Sequence, residues 1–221
     1  MFLKRIKQFI RRVLSSSQAL SYLFACLSVR GRGYLRDIGW FKSFAAGNAL
    51  GFNGEPLPWY AYSAIHFLSE RVRPNMRVFE YGCGNSTLWW ATRCSLVHAV
   101  EHHSDWCKSV STSAPDNVKI TYADLNDGDR YVQAVLDSSL QYDVVVIDGR
   151  RRVDCAVIAV TALKNEGIII WDNSNRSRYA EGCEKLLGLG FKRLNFVGLG
   201  PVSNNYFYTA IFYRSNNSFG L

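Results

Sequence analysis

A chain of 221 residues with a hydrophobic share of 48% can bury one full core, and it carries no low-complexity tract or internal repeat. The formal net charge of +8 is unevenly placed: nine Lys/Arg and one acid precede Ser43, whereas 17 basic and 17 acidic residues follow. That neutral body argues against a nucleic-acid partner, and six scattered cysteines without a C-x-x-C pair read as reduced thiols of a cytoplasmic protein.

Met1–Leu14 puts Phe2, Ile6, Phe9, Ile10 and Val13 on one helical face and Lys4, Arg5, Lys7, Arg11 and Arg12 largely on the other. Such a basic amphipathic helix suits peripheral contact with an anionic membrane; packing on the domain or on a second subunit is the alternative. Ala19–Val29 is mostly apolar but shorter than the roughly 20 residues that span a bilayer. Gly31–Gly54 reads as an irregular, glycine-rich lid or substrate-facing segment. Residues 1–54 thus form a basic N-terminal helical and lid segment, and 55–221 form the main domain. Pro56-Leu57-Pro58 leads into a helix predicted over Trp59–Val72.

Arg77–His102 organises the rest. An apolar run ending in Glu80 predicts a strand buried in a parallel sheet. Gly82 and Gly84 let the backbone turn and approach a ligand, and Ser86 and Thr87 suit the N-cap of a helix through Trp89-Trp90. A second apolar run, Leu96–Val100, ends in Glu101, 19 residues beyond Gly82. That is close to the roughly 20 expected for a carboxylate on a ribose diol. Position 87 holds threonine where a dinucleotide fingerprint needs its third glycine, and no Gly-Lys-Ser/Thr ending makes a triphosphate cradle. Glu80 would repel a pyrophosphate and favour a cation. A ligand with a ribose, an amino-acid end and a positive charge fits this pattern, and S-adenosylmethionine is one.

Further on, Ser104–Ser113 reads as a helix and Val118–Tyr122 as a strand followed by Asp124. A helix is predicted from Asp127 to Asp137, a strand over Tyr142–Ile147 ending in Asp148-Gly149, and a helix over Asp154–Leu163. Gly167–Trp171 ends in Asp172-Asn173. Phe191–Leu199 and Tyr206–Arg214, joined without a helix, form an antiparallel pair. Gly82, Glu101, Asp124, Asp148 and Asp172 all emerge at the carboxyl ends of successive strands, where open α/β sheets bind ligands.

Glu80-Tyr81-Gly82-Cys83-Gly84-Asn85-Ser86-Thr87 resembles the first motif of class I S-adenosylmethionine-dependent methyltransferases, and the resemblance runs over roughly Trp59–Arg214. It implies an α/β, Rossmann-like, seven-stranded sheet, mostly parallel with an antiparallel final strand. It also implies that Glu80, Gly82, Gly84, Asn85, Ser86, Thr87, Glu101 and Asp148 bind the cofactor, with Asp124 at the adenine amino group; an exposed turn residue is the alternative for Asp124. Asp148, Asp172 and Asn173 resemble the metal ligands of catechol-type O-methyltransferases, an oxygen set suited to Mg²⁺. The alternative is that Asp172-Asn173-Ser174 is only a turn and helix cap. Where those relatives carry a basic lysine this chain has Arg151, which stays protonated; with a metal, a bound alkoxide or Asp148 does that work, and without one Asp148 is the candidate general base. Arg150-Arg151-Arg152 opposes the dipole of the helix it opens, which calls for a compensating anion. A phosphate or carboxylate of the substrate, held by Arg151 in the catalytic site, is one choice; pairing with Asp154, Asp172 or another nearby acid is the other.

The reading is a methyltransferase that acts on an oxygen of a small or glycan-like acceptor. An N-methyltransferase and a non-catalytic nucleotide-binding module docked on a membrane or partner are the alternatives.

Overall fold

A computed structural model describes Lys4 and residues 18–221 of the protein. Helix α1 spans Gln18–Gly31, followed by the short α2 (Tyr34–Asp37) and α3 (Trp40–Ala46), then α4 (Tyr62–Ser69). Seven strands follow: β1 (Arg77–Tyr81), β2 (Leu96–Glu101), β3 (Val118–Tyr122), β4 (Tyr142–Ile147), β5 (Leu163–Asp172), β6 (Lys192–Leu199) and β7 (Tyr206–Tyr213). Between them lie α5 (Asn85–Ala91), α6 (Ser104–Ser113), α7 (Arg130–Gln133), α8 (Arg152–Ala162) and α9 (Ala180–Gly188).

All seven strands form one sheet in the order β3-β2-β1-β4-β5-β7-β6. The pairs from β3 through β5 are parallel, and β7 runs antiparallel to both β5 and β6. The expected sheet and its reversed final strand are both present. Strand alternation divides the core: Val145, Ile147, Ile169 and Trp171 face one apolar layer, while Val144, Val146, Ile168 and Ile170 face the other. Burial on both faces explains why β4 and β5 are almost unbroken apolar runs. All β1, β2 and β4 carboxyl ends therefore open on one edge of the sheet.

Several boundaries differ from those expected. The helix predicted over Trp59–Val72 is confined to Tyr62–Ser69, because the chain bends at Trp59 and Tyr60 after Pro58. Gly31–Gly54 is not irregular but folds into α2 and α3. Ser43 is buried there, its hydroxyl donating to the Leu50 carbonyl, and Trp40 Nε1 donates to the Ser203 carbonyl at 3.1 Å. Gly84, rather than Ser86 or Thr87, is the N-cap of α5. The helix expected from Asp127 begins only at Arg130, after a turn through Gly128 (φ 55°), and ends in a 3-10 turn, Ala134–Leu136. Helix α8 begins at Arg152 rather than Asp154.

Tyr22, Leu23 and Leu27 on α1 are exposed. No described helix is long and apolar enough to cross a membrane. Apart from Lys4, the amphipathic stretch Met1–Leu14 lies outside the described residues. The six cysteines are free.

Candidate functional site

The turn after β1 is built from local chemistry. Gly82 sits at φ 96°, a left-handed conformation that a side chain resists, and its N–H donates to the Val100 carbonyl at 2.8 Å. Gly149 crosses behind it: a Cβ there would collide with the Tyr131 hydroxyl and press on Gly82 N at 3.0 Å. The two glycines let β1 and β4 end side by side with no side chain between them. Thr87 Oγ1 accepts the Gly84 N–H at 3.0 Å and donates to Glu80 Oε2, tying the turn to the carboxylate before it.

Glu101 is buried at the end of β2. Its Oε1 accepts the N–H groups of His102 (2.9 Å) and His103 (2.8 Å), and its Oε2 accepts that of Cys83 at 3.2 Å. His102 Nδ1 lies 2.7 Å from Oε1 as well, so the acceptor direction left for a ligand is on Oε2, which accepts only the Cys83 N–H. Glu80, Gly82, Ser86, Glu101, Asp148 and Arg152 share a cavity of about 290 Å³. Cys83 and His102 also reach it. Burial, reinforced by the Glu101 charge, pushes the Cys83 thiol up, so it stays protonated and is no nucleophile.

Asp148 is held by Arg152, whose Nη2 donates to Asp148 Oδ1 at 2.7 Å and to its carbonyl at 2.8 Å. The same buried guanidinium donates to the Gly149 carbonyl at 3.0 Å and to the Asp172 carbonyl. Burial raises the Asp148 pKa above the ordinary carboxylate value, and the Arg152 charge opposes that rise. A second cavity of about 280 Å³ lies on the other side of Asp148, lined also by Trp59, Asp172, Asn173, Arg176 and Phe207. Asp172 is buried, and Thr209 donates to its Oδ1 at 3.0 Å. Burial and then the neighbouring Asp148 charge hold the Asp172 pKa well above the usual range.

No protein-family model matches the chain, and no curated protein matches it. Solved structures share its architecture. A precorrin 8W decarboxylase of Methanobacterium thermoautotrophicum is 20% identical, with 73% of this chain and 94% of that chain covered at a TM-score of 0.54. The N-methyltransferase NodS of Bradyrhizobium japonicum is 12% identical over 69% and 93% of the two chains at 0.50. A Streptococcus mutans protein solved in complex with SAH is 11% identical over 69% and 96% at 0.51. This is the class I methyltransferase fold.

Within the methyltransferase fold, the residues expected at the cofactor separate into three groups. Glu80, Gly82, Ser86, Glu101 and Asp148 line the first cavity. Gly84, Asn85 and Thr87 support it from outside: the Asn85 amide donates to Asn48 Oδ1 (3.0 Å) and the Ala49 carbonyl (2.7 Å), pinning the segment after α3. Asp124 is exposed beyond β3, its Oδ1 accepting from the backbone and side-chain nitrogens of Asn126. Arg151 turns away from the cavity to Asp129 (2.7 Å) and Asp154 (3.0 Å), the second of the two expected compensations. Arg152, marked by the sequence only as part of a charged run, and Gly149, His102 and Trp59, which the sequence pattern does not mark for the site, also line the cavities. The first three directly follow or lie close to acids at strand ends, which was the available signal.

Adenosyl sulfonium chemistry fits the first cavity. Glu80 is buried, and its Oε1 has no hydrogen-bond donor in the described chain, so a cationic ligand would complete it. The divalent metal fits less well. Asp148 Oδ1 is engaged by Arg152 and Asp172 Oδ1 by Thr209, and the guanidinium already brings the positive charge. Among the described residues, no group of three or more His, Cys, Asp or Glu could hold a metal.

Burial raises the Glu80 pKa from 4.5 to about 8, against the lowering effect of the Thr87 hydroxyl on Oε2. The folded protein then holds a proton that the unfolded chain releases, so stability should fall as pH rises between these two values. Glu80→Gln should flatten that slope in thermal unfolding across the same window; an unchanged slope would assign it to another group. A bound cation favours the carboxylate, so S-adenosylmethionine should bind more tightly at pH 8 than at pH 6, with proton release seen by calorimetry in buffers of different ionisation heat.

Proposed function

We propose that the protein transfers a methyl group from S-adenosylmethionine to a hydroxyl of a small or glycan-like acceptor. The observation that carries this reading is that Asp148 faces both cavities, so one carboxylate stands between a nucleoside-sized site and a second, open site. In this reading Glu101 receives the ribose hydroxyls and Glu80 faces the positive end of the cofactor. Bound there, S-adenosylmethionine supplies an electrophilic methyl carbon on a sulfonium that leaves as a neutral thioether. Asp148 accepts the acceptor's hydroxyl proton as the new C–O bond forms and the C–S bond breaks. A raised carboxylate pKa brings the base closer to the working pH, which strengthens proton transfer. Trp59 and Phe207 wall the acceptor side with apolar surface, which positions a ring and excludes water.

Isothermal titration tests the cofactor site. The wild-type protein should bind S-adenosylmethionine, and Glu101→Gln should bind it roughly 10- to 150-fold more weakly, the effect of losing a charged hydrogen bond. Glutamine keeps an oxygen for the His102 and His103 N–H groups, so the fold should survive. No heat with the wild type would remove the enzyme reading; equal affinity in the variant would move the ribose elsewhere.

A further inference from the structure

Beside the acceptor cavity lies a third cavity of about 300 Å³, lined by Arg150, Arg151, Arg152, Arg176 and Arg178 with one acid, Asp154. Two of these cations are spoken for. Arg151 is paired with Asp129 and Asp154, and Arg152 is turned inward to Asp148 and the strand-end carbonyls. Among the described residues, Arg150, Arg176 and Arg178 have no carboxylate within ion-pair distance; Arg150 Nε reaches only His102 Nε2, at 3.4 Å. Arg178 stacks over the Tyr179 ring at 4.9 Å, which orients its planar fork. Arg176 lines both this cavity and the acceptor cavity, but not the cofactor cavity.

Cations gathered in a concavity repel one another and focus a positive potential, and an anion bound between them relieves that repulsion. Guanidinium forks match carboxylate and phosphate oxygens two at a time. Resting on the methyl-transfer reading above, we infer that the acceptor is an acid. Its carboxylate or phosphate is held by Arg176 and Arg178, while its reacting hydroxyl lies at Asp148. Gly149, Arg150 and Arg152 line both this cavity and the cofactor cavity, but Arg176 and Arg178 do not line the cofactor cavity. Arg176 reaches the acceptor cavity, so the anion is assigned to the acceptor and not to the cofactor's own carboxylate.

Calorimetry on the protein saturated with SAH, using D-glucuronate, glucose 6-phosphate and glucose as probes, tests this. At least one of the two acids should bind and glucose should not, and the better acid tells carboxylate from phosphate. The double variant Arg176→Gln/Arg178→Gln should lose about tenfold or more of that affinity. Both residues are exposed, so its SAH affinity should stay at the wild-type value, which reports an intact fold. The inference is overturned if neither acid binds, if glucose binds equally, or if the variant keeps its acid affinity. It is also overturned if the variant loses SAH instead, which would assign these guanidinia to the cofactor. A protein that binds the acids through Arg176 and Arg178 but never binds S-adenosylmethionine or SAH would sink the methyltransferase reading and leave the anion site standing.

Discussion

Replacing Asp148 by asparagine should slow methyl transfer by about 10²- to 10⁴-fold, the range for losing a positioned general base. The substitution keeps size and one oxygen, so Arg152 retains an acceptor there along with the carbonyls of Asp148, Gly149 and Asp172. The defect should therefore fall on kcat, with S-adenosylmethionine affinity changing less than about tenfold. Single-turnover rates against cofactor Kd would separate the two. A rate loss below about tenfold would show that another group, or solvent, takes the proton.

Arg152→Met should be the most destabilising single change in the site, costing about 3–5 kcal/mol, as expected when one partner of a buried ion pair is removed. The guanidinium is 8% exposed and serves three carbonyls and a carboxylate at the ends of β4 and β5. Without it those oxygens lose their donors and Asp148 loses its counter-charge. The neighbouring Arg151→Met should cost less than about 1 kcal/mol, because its partners Asp129 and Asp154 are 63% and 53% exposed and solvent screens such pairs. Urea unfolding with an unchanged m-value would measure both. Equal losses would mean that Arg152 is not the clasp between the two strands.

Two adjacent arginines with different expected effects illustrate where sequence reading stops. The run Arg150-Arg151-Arg152 announces unbalanced charge at a helix start, yet nothing local says which guanidinium goes where. Arg151, at φ 48°, reaches out to Asp129 and Asp154, while Arg152 turns inward to Asp148 and the carbonyls of Gly149 and Asp172. Asn85 is a similar case: it lies in the ligand-binding motif, but its amide is used on Asn48 and Ala49, 37 and 36 residues away. Trp59 reaches the second cavity because the chain bends before α4, which helical spacing alone could not reveal.

Sequence by itself determined the sheet, the glycine turn and the acids at the strand ends. Those features follow from short-range rules: apolar alternation, the conformational freedom of glycine, and the distance from Gly82 to Glu101. Only the tertiary structure decided which side chains enter the cavities, that Asp148 stands between two of them, and that Arg176 and Arg178 are left facing a third. Side-chain direction depends on neighbours distant along the chain, so it is settled when the strands and loops meet and not before.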